Sequence, residues 1–268
     1  MKHEGVSQEV TAGLNCSAER SHARIERRFY ISAALFMILL SVAGFGPSII
    51  DPSRRNARST QLVLAHSIIA STWLVLFLVQ TSLVATRRTA IHQRVGFAGP
   101  ALAAVMIIVG YFAAINSVRR GYDLSGDLFR ALSRSGKPFT PASVLFPLAD
   151  LLNFGVLVAG GWWYRHRPDI HKRLMLLAMI PLVGEPILHL VGRLSSLWPN
   201  LQGRSIAISV PITILFLAAN AIYDRVSRRR IHPVSLWVPI LLFAWQIVLG
   251  SVVYPSALWH KIAAWLIA

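Results

Sequence analysis

Charge is scarce in this sequence: only 14% of its 268 residues are Asp, Glu, Lys or Arg, where a soluble domain carries about a quarter. That shortage excludes an ordinary water-facing surface. Cysteine is nearly missing too. A lone Cys16 leaves no intrachain disulfide and no cysteine-based metal centre. The motifs of soluble catalysis are also absent, with no phosphate-binding glycine loop, G-x-S-x-G elbow, H-E-x-x-H or C-x-x-C. Gly155, Gly160 and Gly161 fall inside an apolar run and read as close helix packing instead.

What the chain has in their place is hydrocarbon. Hydrophobic residues make up 54% of it and the mean hydropathy is +0.54. Seven apolar runs can be marked: Phe29–Ile50, Ser59–Thr86, Val95–Val118, Pro138–Tyr164, Leu174–Gly192, Ser205–Tyr223 and roughly Pro233–Tyr254. Each is long enough to cross a hydrocarbon layer of about 30 Å at about 1.5 Å per residue. Backbone polar groups cannot stay unpaired in lipid, so the runs must be helices. The fold class is all-α, a polytopic transmembrane bundle of about seven helices joined by short loops. Residues 1–28 are expected to form a polar, disordered tail, 29–254 the transmembrane domain, and 255–268 a short segment lying along the interface.

The net charge of +16 would suggest nucleic acid in a soluble chain. Here the excess belongs to loops at lipid headgroups, and no nucleic-acid partner is expected. Of 27 Lys and Arg residues, 16 fall on the side of the N-terminus, which points to a cytoplasmic N-terminus in a cell inner (plasma) membrane by the positive-inside rule. Gly46-Pro47 and Asp51-Pro52 mark a turn after the first helix. The longest loop, Arg119–Lys137, has room for a surface helix around Leu128–Leu132.

Ionisable residues inside a membrane are costly and usually face the bundle interior. The runs hold few: His66, Asp150, Glu185 and His189. Counted along alternating helices, all four fall roughly 5–12 Å beneath one face. Glu185 and His189 are four apart and share a helix face. His66, Trp73 and Gln80 recur at intervals of seven and make one stripe. Pro181, Gly184 and Pro186 predict a kink at the depth of Glu185.

Two imidazoles and two carboxylates at one depth suit a zinc, iron or manganese centre ligated by His66, Asp150, Glu185 and His189. Alternatively His66 and His189 alone ligate a haem b, with the carboxylates as their supporting partners. A redox centre of either kind would exchange electrons with quinone or another membrane carrier, whereas zinc would support hydrolysis of a lipid-like substrate. Two readings without a cofactor stand beside these: a hydrogen-bonded cluster that fixes helix register, and a proton or small-solute pathway.

One four-residue pattern occurs twice. Ile91-His92-Gln93-Arg94 opens one helix and Ile170-His171-Lys172-Arg173 another, each after a basic loop. The echo fits two related hairpins and would let His92 and His171 form a second histidine pair near the opposite face. It fits better the general basicity of helix starts at a membrane surface, where both histidines would be solvated and contact phosphate headgroups.

The stretches AHSIIASTWLVLFLVQTSLVA (65–85), IHQRVGFAG (91–99) and HKRLMLLA (171–178) resemble a family of uncharacterised bacterial multi-pass membrane proteins. The likeness covers about half the chain and implies a bacterial inner-membrane protein, with no activity attached. The basic histidine-arginine hairpins are also distantly similar to those of b-type transmembrane cytochromes, which implies haem ligation by embedded histidines; His66 and His189 are the embedded ones here.

Overall fold

In the computed structural model, the structure describes residues 2–51, 60–120, 140–198 and 205–268. The expected surface helix at Leu128–Leu132 lies outside them. Among the described residues there are ten α-helices and no strand: α1 (Lys2–Ile50), α2 (Gln61–Ala85), α3 (Thr89–Gly96), α4 (Ala98–Arg120), α5 (Leu145–Trp163), α6 (Pro168–Leu177), α7 (Gly184–Leu197), α8 (Ser205–Arg228), α9 (Pro233–Val248) and α10 (Ala257–Ile267). Six spans are long and apolar enough to cross a membrane. A seventh is added when Pro168–Leu182 and Gly184–Leu194 are taken as one span bent by 43°. The protein is a multi-pass helical membrane bundle.

The bend falls where the sequence predicts it. Pro181 and Pro186 each lack the N–H that an α-helix needs, so the chain passes through a 3₁₀ turn at Ile180–Leu182 before α7 begins at Gly184. Pro47 behaves otherwise. The expected turn at Gly46-Pro47 does not form, and α1 continues through Pro47 to Ile50. Pro47 deprives only one carbonyl of its partner this close to the helix end, and Asp51 N–H closes the last turn on Pro47 O at 3.0 Å. Helix α1 also takes in the polar residues that precede the first apolar run.

Lipid tails are as apolar as leucine, so helices here associate through close packing more than through the hydrophobic effect. Glycine provides that closeness. A Cβ built on Gly44 would lie 2.6 Å from the carbonyl oxygen of Pro186, and one on Gly161 would lie 2.7 Å from Met175 Sδ. Around these crossings Met37, Trp73, Met106, Phe154, Leu177, Met179 and Ile187 form the main buried cluster, with Trp73 edge-on to Phe154 at 5.0 Å. The C-terminal helix α10 folds back: Ala263 is buried against Ala114, Ile115, Val118 and Val144, and Trp259 Nε1 donates to Ala142 O at 2.9 Å.

Candidate functional site

The four residues picked for a metal do not gather as one. Among the described residues, no three His, Cys, Asp or Glu side chains come together in a group that could hold a metal ion. Glu185 and His189 do meet, at 3.7 Å, but His189 is buried while the Glu185 side chain is 56% exposed. The inward stripe therefore holds for His189, whose ring packs on Phe45 at 4.9 Å, and not for Glu185. Asp150 is near enough to Glu185 for their charges to interact, yet its carboxylate accepts from Gln246 Nε2 at 3.3 Å. His66 sits half-buried on α2, and its side chain has no hydrogen bond or ion pair among the described residues. Counting residues along helices gives an expected depth but no position around the bundle. Helices α2 and α7 both pack chiefly on α1.

A denser polar assembly lies at the other end. Arg173 and Asp224 are both fully buried and form a bidentate ion pair, Nη2 to Oδ1 and Nε to Oδ2 at 3.0 Å. Ser235 Oγ accepts from Arg173 Nε at 2.9 Å and donates to Asp224 Oδ2 at 2.6 Å. Arg173 Nη1 donates to Asp169 O at 2.5 Å. The His232 N–H gives Asp224 Oδ2 another bond at 3.1 Å. Asn220 bridges onward, donating to Arg173 O at 3.3 Å and accepting from Tyr30 Oη at 3.3 Å. Beside this knot Glu26 takes Lys172 and Arg228, each at 2.5 Å. The result joins α1, α6, α8 and α9 with every charge answered by a partner. A buried ion pair offsets its desolvation only when its polar atoms are also bonded, and here every guanidinium nitrogen and both carboxylate oxygens have a partner. The assembly is a structural tie.

The same end carries the two echoed histidines, and the structure pairs them. The rings of His92 and His171 are 6.3 Å apart between centroids and edge to face at 78°. Both are half-buried rather than fully solvated. Each is held by one ring nitrogen. His171 Nδ1 lies 2.8 Å from Gly161 O; a carbonyl can only accept, so Nδ1 carries the proton and neutral His171 has a bare Nε2. His92 Nδ1 faces the Gln80 amide. Hydrogen bonding assigns that amide with its nitrogen donating to His92 Nδ1 at 2.5 Å and to His92 O at 3.1 Å, while its oxygen accepts from Gly96 N–H at 2.9 Å. Neutral His92 then carries its proton on Nε2. A donor nitrogen and an acceptor nitrogen thus remain uncommitted on neighbouring rings among the described residues.

Gln80 belongs to the α2 stripe, which runs from this pair toward the other face. His66 lies fourteen residues away from it, about 21 Å along the axis. Midway is Trp73, 2% exposed, whose indole N–H has no hydrogen-bond partner among the described residues. Leaving such a donor buried costs about 1–3 kcal/mol. Stripe and pair together form a polar line with unengaged polar atoms among the described residues, whereas every side-chain nitrogen and carboxylate oxygen of the Arg173–Asp224 tie has a partner.

No family model, no curated protein and no solved structure matches the chain. Its membership of a multi-pass membrane class therefore rests on the helices themselves, and the resemblances to a bacterial family and to b-type cytochromes rest on their motifs.

Proposed function

We propose that this protein is a proton-linked membrane carrier, with the His92–His171 pair as its port at the basic end and the His66–Trp73–Gln80 face of α2 as its route. The observation that carries the reading is the histidine pair. Two rings from separate, similarly written hairpins meet with one Nε2–H and one bare Nε2. A bare nitrogen on one ring beside an N–H on the other lets such a pair accept a proton at one side and release one at the other. The unpartnered Trp73 N–H offers the route a hydrogen-bonding group at mid-depth, and Glu185 with His189, near Asp150, supplies ionisable groups toward the far face. The positive-inside excess would turn the histidine end toward the cytoplasm of an inner membrane.

The test is proton entry into proteoliposomes that contain a pH-sensitive dye, driven by a potassium diffusion potential. Wild-type protein should acidify the lumen faster than protein-free vesicles. His171→Asn keeps a donor for Gly161 O but has no counterpart of Nε2, and it should cut the rate at least tenfold. Flux no faster than in protein-free vesicles sinks the proposal. On the same preparation, an oxidised and a dithionite-reduced spectrum tests the redox alternative, in which His66 and His189 ligate haem and quinone is the partner. A Soret band lost in His66→Ala would favour it.

A further inference from the structure

We infer that the cleft between the start of the first span and the end of α2 is a binding site for the phosphate group of an anionic phospholipid. A cavity of about 280 Å³ there is lined by Arg24, Arg27, Arg28, Ile31, Ala85 and Arg87. Four of these six residues carry a guanidinium. Arg27 Nη1 donates to Ala85 O at 3.2 Å, which fixes one wall of the cleft across the two helices. Arg24, Arg28 and Arg87 are exposed and have no carboxylate partner among the described residues. Glu26, on the same helix, does not line the cavity and is occupied by Lys172 and Arg228 at 2.5 Å each. Unneutralised guanidiniums gathered around one cavity repel each other until an anion enters, and their forked donors match phosphate oxygens.

The backbone adds an independent sign. Helix α2 ends in a Schellman motif: Arg88 N–H bonds Leu83 O at 2.8 Å and Arg87 N–H bonds Val84 O at 3.1 Å. This places Arg87 in the left-handed region, with φ 61°. Glycine is the usual residue there. An arginine at that position takes on backbone strain and in return aims one more guanidinium into the cavity. Ile31, one turn deeper than Arg27, gives the cavity an apolar wall where acyl chains begin. Charge at headgroup level above an apolar wall favours a lipid phosphate over a free one.

The experiment uses the purified full chain in neutral detergent and reads its thermal midpoint. Added phosphatidylglycerol should raise Tm by roughly 5 °C near saturation, and phosphatidylcholine should not. Arg87→Gly relieves the strained φ, so it should match wild-type Tm without lipid yet lose at least half the phosphatidylglycerol response. Arg24→Gln repeats the test with no backbone change. Arg230→Gln removes the same charge from an exposed residue outside the cavity, and it should keep the full response. Equal losses in Arg230→Gln and Arg87→Gly would mean diffuse surface charge and overturn the site. A like response to both lipids would overturn it as well. An equal response to soluble glycerol phosphate would overturn the lipid assignment.

Discussion

The Arg173–Asp224 tie and the His92–His171 pair lie at the same end of the bundle, two residues apart in sequence at Arg173 and His171, yet they are finished differently. In the tie, both carboxylate oxygens and the guanidinium nitrogens have partners, and both side chains are fully buried. In the pair, each ring is anchored through Nδ1 and keeps Nε2 uncommitted among the described residues. Polarity alone therefore does not mark a working site in a membrane protein. The useful distinction is between groups whose every polar atom the fold engages and groups with an atom that the fold holds in reserve.

Breaking the tie should produce the largest effect. Asp224→Ala leaves Arg173 as a buried cation without its counter-charge, a loss of about 3–5 kcal/mol. It should appear as a steep fall in Tm and in the yield of folded protein. The double variant Arg173→Met/Asp224→Leu, which removes both charges, should recover most of that stability, because the two desolvation costs vanish together. If the double variant is as unstable as the single one, the tie supplies more than charge balance and the contrast with the histidine pair weakens.

Next in size is a purely steric change. Gly44→Ala drives a Cβ to 2.6 Å from the Pro186 carbonyl oxygen, an atom that cannot swing aside. Forcing α1 and α7 apart should cost about 1–3 kcal/mol. Gly46→Ala meets only Val42 Cγ1, at 3.7 Å, so it should change stability by less than about 1 kcal/mol. Thermal midpoints of the two variants, measured side by side, check the difference. The clash would also loosen the seat of His189, which packs on Phe45 one residue beyond Gly44.

Which of these features the sequence revealed follows from what each depends on. Spans and the bend at Pro181–Pro186 are local: apolar length and missing N–H groups act on their own segment. The His92–His171 pair was visible as an option because Ile-His-x-Arg is written twice, and repetition is a signal that survives without coordinates. The tie was not visible. Arg173 looked like one more basic residue at a helix start, and Asp224 sat among arginines at the end of a span, 51 positions away. Only the packing of α6 against α8 and α9 removes both from solvent. The metal set meets the converse limit: the described residues show no group that could hold an ion. Depth can be counted from sequence, but the angular position of α2 and α7 around α1 cannot, and ligation needs both. The N–H of Trp73 shows the same limit: its helix and depth were legible, and the lack of a partner was not.

That indole gives the smallest stability effect and the sharpest comparison. Trp73→Phe deletes a buried donor with no partner among the described residues, which returns about 1–3 kcal/mol of desolvation cost. It also leaves the space of the lost ring atoms partly unfilled, a penalty of similar size. The two nearly cancel, so Tm should move by no more than the equivalent of about 1 kcal/mol, while proton entry in proteoliposomes slows. The opposite pattern, a large loss of stability with flux unchanged, would show that the Trp73 N–H is as fully engaged as the groups of the Arg173–Asp224 tie. The α2 stripe would then be a second structural seam rather than a route, because a donor in reserve can be deleted cheaply and a donor in use cannot.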